Sequence, residues 1–156
     1  MVKKIVVIAG GFDPIHGGHI DHIRQAKALG DWLIVITHPD DVLERKKGYC
    51  LTPLKDRIAI LTALRAVDEV IVSLDGDGTV ARTLEWLYVA LLEDFIFAKG
   101  GDRTPDNMPE NEVKVCQKNN IEIVYGKGAV LNSSQDLVRK VLNKAKVIDN
   151  FIHREI

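Results

Sequence analysis

Apolar residues fall along this chain in short β-branched runs that alternate with stretches of helical period. Ile5-Val6-Val7-Ile8-Ala9 is apolar throughout, too short for a helix, and halted by Gly10-Gly11. Such a run predicts a strand covered on both faces. Ile20, Ile23, Ala26 and Leu29 then recur at helical spacing, with Gly30 placed to close that helix as its C-cap. Trp32 to Thr37 predicts a second strand, and a polar loop follows from His38 to Leu51. Thr52-Pro53 reads as an N-cap with proline at the first helical position, and Leu54, Ile58, Leu61 and Leu64 line one face behind it.

Val70-Ile71-Val72 predicts the third strand, and Asp75-Gly76-Asp77-Gly78-Thr79 a turn and cap before a helix running to about Leu92. Phe95-Ile96-Phe97-Ala98 is the fourth strand. Pro109 begins a shorter helix ending near Asn119-Asn120, and Ile121 to Tyr125 is the fifth strand. Ser133 opens a final helix with Leu137, Val138, Val141, Leu142 and Ala145 inward. This alternation predicts an α/β fold: one Rossmann-like, doubly wound domain over 1–156, with a five-stranded parallel sheet in the order 3-2-1-4-5 and helices on both faces. No linker or internal repeat divides the chain. Ligands of such sheets sit beyond the C-terminal strand ends where the winding reverses, here between strands one and four. The glycine-rich segments at 10–18 and 100–101 then face each other across one crevice.

Composition adds exclusions. At 46% hydrophobic and 28% charged over 156 residues, the chain is ordinary globular protein with one core. Lys plus Arg number 21 against 22 Asp plus Glu, so no positive field draws nucleic acid. A local cluster such as Arg45-Lys46-Lys47 can still meet a small anion. Cys50 and Cys116 read as reduced thiols of an intracellular protein, with a single disulfide as the alternative. Met1-Val2-Lys3-Lys4 leads into too few apolar residues for a signal peptide or a membrane span. The expectation is a soluble cytoplasmic protein without a membrane partner. Trp32 and Trp86 read as core or interface.

The chemistry is concentrated in Gly10-Gly11-Phe12-Asp13-Pro14-Ile15-His16-Gly17-Gly18-His19. Its glycines and proline bend the chain between strand and helix, leaving His16 and His19 three apart in the helix's first turn. Imidazoles, unmatched backbone N–H groups and the positive end of the helix dipole together make a phosphate site. Two blander readings stand beside this: a plain strand-to-helix turn, and a metal site of His16, His19 and His22. No cysteine or carboxylate is spaced to complete the metal site, and His22 is read as a packing or surface residue.

The segment from Phe12 to His19 resembles the G-x-F-D-x-x-H-x-G-H signature of the cytidylyltransferase-like nucleotidyltransferase superfamily. Class I aminoacyl-tRNA synthetases share its H-x-G-H core, but this chain is too short and lacks a K-M-S-K-S signal. The likeness runs from about Lys3 to Leu142. Lys47-Gly48, Pro53 and Arg57 resemble the loop and helix start of sugar-phosphate and glycerol-phosphate nucleotidyltransferases, and Ala66-Val67-Asp68-Glu69-Val70 resembles their V-D-x-V segment. Lys99-Gly100-Gly101-Asp102 is similar to the K-G-G-D of heptose-1-phosphate adenylyltransferases. Leu131-Asn132-Ser133-Ser134 is similar to their phosphate-holding S-T-T or I-S-S-S motif. Two positions depart. Gly11 stands where the superfamily often has Ser or Thr, and Lys127 where cytidylyltransferases of glycerol phosphate carry arginine.

The resemblance implies transfer of a nucleoside monophosphate from ATP or CTP to a phosphorylated small molecule, with Mg²⁺ bridging the phosphates and pyrophosphate leaving. His16, His19 and Lys47 become the catalytic donors, with Lys47 swinging in from a flexible loop. Gly10, Gly11, Phe12, Gly18, Gly100, Asp102, Lys127, Ser133 and Ser134 line the nucleotide. Asp13, Arg57 and Arg103 are assigned to the acceptor, although Asp13 also suits a turn cap and Arg57 a surface salt bridge. The leading reading is adenylyl transfer to a sugar 1-phosphate for lipopolysaccharide or a related glycan. Its rival is cytidylyl transfer to glycerol phosphate or a similar alcohol phosphate, and a third reading is a nucleotide-binding module without turnover. A homodimer is expected, with the apolar tail at 147–156 packed on its own domain or on a second copy.

Overall fold

The computed structural model describes residues 3–101, 103–126 and 133–152. Its strands are β1 (Ile5–Gly10), β2 (Trp32–Thr37), β3 (Glu69–Val72), β4 (Phe95–Lys99) and β5 (Glu122–Tyr125). All pair in parallel, in the order β3-β2-β1-β4-β5. The helices are α1 (Gly17–Lys27), α2 (Asp40–Lys47), α3 (Leu54–Thr62), α4 (Ala81–Leu91), α5 (Glu110–Lys118) and α6 (Ser134–Ile152). Among the described residues no helix is long and apolar enough to cross a membrane.

The central strand shows why an unbroken apolar run must be interior. Alternate residues of β1 enter two separate cores. Ile5 and Val7 join Ile34, Ile36, Phe95 and Phe97 under α4 and α5, with Leu84, Leu87 and Cys116. Val6 and Ile8 join Leu33, Val35 and Ala98 under α1 and α3, with Ile23, Ala26 and Leu61. Burying both faces of one strand fixes its neighbours, so the C-terminal ends of β1, β2 and β4 open onto one edge.

Four local expectations need correction. The predicted loop after β2 contains α2, whose buried residues are only Val42 and Leu43. Two adjacent apolar residues give no helical repeat, but Asp40-Asp41 in the first turn and Arg45-Lys46-Lys47 in the last suit the helix dipole, and Gly48 ends it at φ 84. Gly30 is not the C-cap, since α1 ends at Lys27 with Ala28 in that position, although the Gly30 N–H still donates to the Lys27 carbonyl at 3.2 Å. A side chain at Gly30 would collide with the Lys4 carbonyl and Val6, so glycine there lets the turn lie against β1. Pro53, not Thr52, is the N-cap of α3. Val141, Leu142 and Ala145 on α6 are exposed rather than inward.

Trp86 is half-exposed on α4, and Trp32 carries the Lys3 ammonium 3.9 Å above its ring. Cys50 and Cys116 are free thiols. The tail's apolar side chains, Val147 and Ile148 and those from Phe151 onward, lie outside what is described.

Candidate active site

The edge formed by β1, β2 and β4 opens into a cavity of about 640 Å³, a volume suited to a nucleotide-sized ligand. It is lined by the Gly10-Gly11-Phe12 turn, His16, Gly18 and His19, and across from them by Lys99, Gly100 and Gly101. The two glycine-rich segments do face each other.

The imidazole pair is fixed by backbone hydrogen bonds. His16 is the N-cap of α1: its Nδ1 accepts from Gly18 N at 3.1 Å, and His19 Nδ1 accepts from His16 N at 3.2 Å. This is a capping box built from histidines in place of Ser and Glu. The rings lie 3.8 Å apart at 30°, and Phe12 backs His19 at 5.0 Å. Phe12 sits 2% exposed with φ 51, a left-handed conformation that costs energy in a non-glycine residue. An Nδ1 that accepts carries no proton, so each neutral ring bears its proton on Nε2.

Burial, then the neighbouring charges of His16, Lys47 and His22, holds the His19 pKa down at about 3. Burial and then Lys47 lower that of His16. Both rings are therefore neutral at pH 7, each with an Nε2–H to donate and no charge of its own to neutralise.

Lys47 ends α2 and is already in place, its Nζ 3.4 Å from the Asp13 carbonyl. It does not swing in from a loop. A side chain at Gly11 would stand 3.2 Å from this ammonium and 3.0 Å from Leu43 Cδ2. The residue missing a hydroxyl is thus the one that leaves Lys47 its room. Burial holds the Lys47 pKa below its ordinary value against the opposing pull of Asp13.

Ser133 and Ser134 reach the cavity from the start of α6. Ser133 Oγ donates to Asp136 at 2.8 Å and accepts from its N–H at 3.1 Å, capping the helix. Ser134 Oγ donates to the Pro14 carbonyl at 2.9 Å and ties α6 to the β1–α1 turn. Both hydroxyls are spent on position. What this helix offers an anion is its first-turn N–H groups.

Asp13 and Arg57 lie elsewhere than an acceptor-binding role would require. Asp13 is fully buried and its carboxylate accepts from Leu51 N and from Thr52 N at 2.7 Å, stapling the α2–α3 connection to the β1 turn. Arg57, 1% exposed, donates to Thr52 O, Gly11 O, Thr37 Oγ1 and Asp40 Oδ1 at 2.6–3.0 Å. Neither lines the cavity; together they support its floor. Arg103 does line it while donating to Asn107 O at 2.9 Å. Asp102 and Lys127 lie outside the described residues.

Sequence reasoning missed several lining residues. His22, expected to pack or face solvent, lines the cavity against Gly100, where a side chain would collide with its ring. Burial, then Lys99, holds its pKa at about 4. Lys99 is buried at the end of β4, 3.2 Å from Glu112, which also accepts from Val80 N at 3.1 Å. His38 lines the β2 side, next to Lys46 of the basic cluster already expected to meet an anion. A signal existed for His38, because the residue following a strand next to the winding reversal falls at the crevice mouth. Nothing in the sequence marks Glu112.

The profile of the Cytidylyltransferase-like family matches residues 7–152. The bifunctional protein HldE of Halorhodospira halophila is 35% identical over 124 residues, which are 78% of this chain and 24% of that protein. The FAD synthase of Pyrococcus horikoshii is 43% identical over 77 residues, 48% of this chain and 52% of that one. This chain therefore spans about a quarter of the first relative and about half of the second. A lipopolysaccharide core biosynthesis protein from Thermoplasma volcanium GSS1 superposes with a TM-score of 0.64 at 24% identity, over 81% of this chain and 98% of that one. At that identity the likeness speaks for the fold.

Proposed function

The chain belongs to the cytidylyltransferase-like family, and from that premise we propose that it transfers a nucleoside monophosphate from an NTP to a phosphorylated small molecule and releases pyrophosphate. The observation that carries the reading is the histidine capping box, which turns two neutral Nε2–H donors outward beside Lys47 and the start of α6.

The acceptor's phosphate oxygen attacks the α-phosphorus, forming one P–O bond as the bond to pyrophosphate breaks. The substrate brings its own nucleophile, so the protein positions the phosphates and stabilises the charge that builds on them. His16 and His19 donate to the α- and β-phosphate oxygens, Lys47 places its ammonium beside them, and the α6 N–H groups hold the outer phosphates. Of the two described carboxylates that line the cavity, Asp21 and Glu112, Glu112 is engaged with Lys99 and Val80 N, and among the described residues no cluster of metal-ligating side chains is present. Mg²⁺ would be held mainly by the nucleotide's own phosphate oxygens, where it would supply further charge neutralisation.

The finer reading is adenylyl transfer to a sugar 1-phosphate, supported by the Lys99-Gly100-Gly101-Asp102 motif and by the HldE relatives. The FAD synthase relatives support a flavin phosphate as a second candidate acceptor class. Pyrophosphate release from ATP and from CTP, against a panel of sugar 1-phosphates, glycerol 3-phosphate and flavin mononucleotide, tests the proposal. The expected result is acceptor-dependent release from ATP with a sugar 1-phosphate. Silence across the whole panel, with nucleotide binding intact, would favour a binding module instead.

A further inference from the structure

The cavity has a second donor flank, apart from His16, His19 and the start of α6. His38 follows β2 directly and Lys46 lies in the last turn of α2, and both line the crevice. His38 is 5% exposed, its Nδ1 sealed from solvent without a partner, and its ring makes no hydrogen bond among the described residues. A buried polar atom left unmatched is costly, so an arrangement like this calls for an explanation. Burial first, then Lys46, holds the ring's pKa at about 4; Asp75 pulls the other way, and Arg57 and Lys99 add to the depression. The ring is neutral at pH 7. An orphaned buried N–H is rarer than a bare acceptor, which assigns the proton to Nε2, the nitrogen left for a ligand.

Three cations surround this imidazole, and two are already matched: Arg57 to Asp40 at 2.6 Å and Lys99 to Glu112 at 3.2 Å. Lys46 gives its ammonium to the Gly78 carbonyl at 3.1 Å and has no carboxylate in ion-pair range among the described residues. A neutral N–H beside an unmatched ammonium is a donor pair for an oxyanion. The flank lies on the β2 side of β1, whereas the start of α6 is tied to the β1–α1 turn through Ser134 and the Pro14 carbonyl. Two phosphorylated substrates need two sets of donors, and Asp13 and Arg57 do not reach the cavity.

We propose that His38 and Lys46 form the subsite for the acceptor's phosphate, separate from the nucleotide's phosphates at α1 and α6. The inference rests on the nucleotidyl-transfer reading and deepens it by naming residues that select the second substrate. Neither is expected to touch the NTP.

The test is equilibrium dialysis of ³²P-labelled inorganic phosphate against protein saturated with the Mg²⁺ complex of an α,β-methylene analogue of ATP or CTP. Saturable phosphate binding is expected beside the analogue. Its Kd should rise at least about tenfold, or about 1.4 kcal/mol, in His38→Asn, which removes the Nε2 position, and in Lys46→Met. His38→Gln, which returns a donor there, should recover most of it, and analogue affinity should stay within about twofold throughout. Should His38→Asn fail to fold, Lys46→Met, at an exposed side chain, carries the test alone. Unchanged phosphate affinity in the variants, or complete exclusion of phosphate by the analogue, would overturn the subsite. Failure of both analogues to bind would instead sink the nucleotidyl-transfer reading, and this inference with it.

Discussion

Replacing Arg57 by alanine separates a supporting role from a substrate-binding one. The guanidinium is 1% exposed and makes four hydrogen bonds, to Thr52 O, Gly11 O, Thr37 Oγ1 and Asp40 Oδ1. Truncation strands these acceptors and leaves a hole beneath the β1 turn. Breaking a buried charge pair costs about 3–5 kcal/mol. Asp40, with 42% of its side chain exposed, can rehydrate, which argues for the low end of that range, about 3 kcal/mol. For a domain of this size that corresponds to a fall in Tm of about 6–12 °C. Urea denaturation gives the loss directly, and kinetics at a temperature where the variant stays folded give the KM for each substrate. Both KM values should change together and modestly, because the Gly11 turn and Lys47 loosen as a unit. A variant as stable as the parent, with the acceptor KM alone raised tenfold, would refute the reasoning and return Arg57 to the acceptor.

Other outcomes follow from the same geometry. Asparagine at position 16 or 19 keeps an oxygen where Nδ1 accepts but removes the Nε2 donor, so turnover should fall about 10²–10³-fold while thermal melting shows nearly unchanged stability. Gly100→Ala pushes a methyl group into the His22 ring and should destabilise by about 1–3 kcal/mol. Adding His22→Ala should recover part of this loss in a denaturant titration, as coupled neighbours do. Burial holds His19 at about 3 and His22 and His38 at about 4 in the folded protein, against about 6.5 in the unfolded chain. The unfolded chain then binds more protons between these values, so the stability these rings contribute above pH 6.5 is lost as pH falls toward 4. Calorimetry across that range should show the decline, less steeply in His22→Asn.

The sheet was legible because β1 and β4 are apolar at nearly every position and end at glycine or lysine, a pattern that only a doubly covered strand explains. The histidine corner was legible for a related reason, since a strand, a glycine-rich bend and a helix start determine where His16 and His19 must sit. α2 was not legible because its only buried residues, Val42 and Leu43, are adjacent and set up no apolar period. Its signals were instead charge placement and Gly48, the marks of a short helix held by its ends. Arg57 and Asp13 show a different gap. Sequence put a guanidinium and a carboxylate near the site, but only the fold shows them turned inward, each meeting backbone groups that no spacing rule connects. Lys99 and Glu112 are 13 residues apart and meet only because β4 and α5 pack together.

Phosphate binding here turns on where two ring protons sit, and long-range ¹H–¹⁵N NMR correlation of the imidazoles at pH 7 reads this directly. His16 and His19 should both appear as neutral rings with bare Nδ1 and protonated Nε2, and their Nε2 signals should move saturably when an NTP analogue is added with Mg²⁺. Protonated Nδ1 atoms, or Nε2 signals that ignore a bound nucleotide, would contradict it.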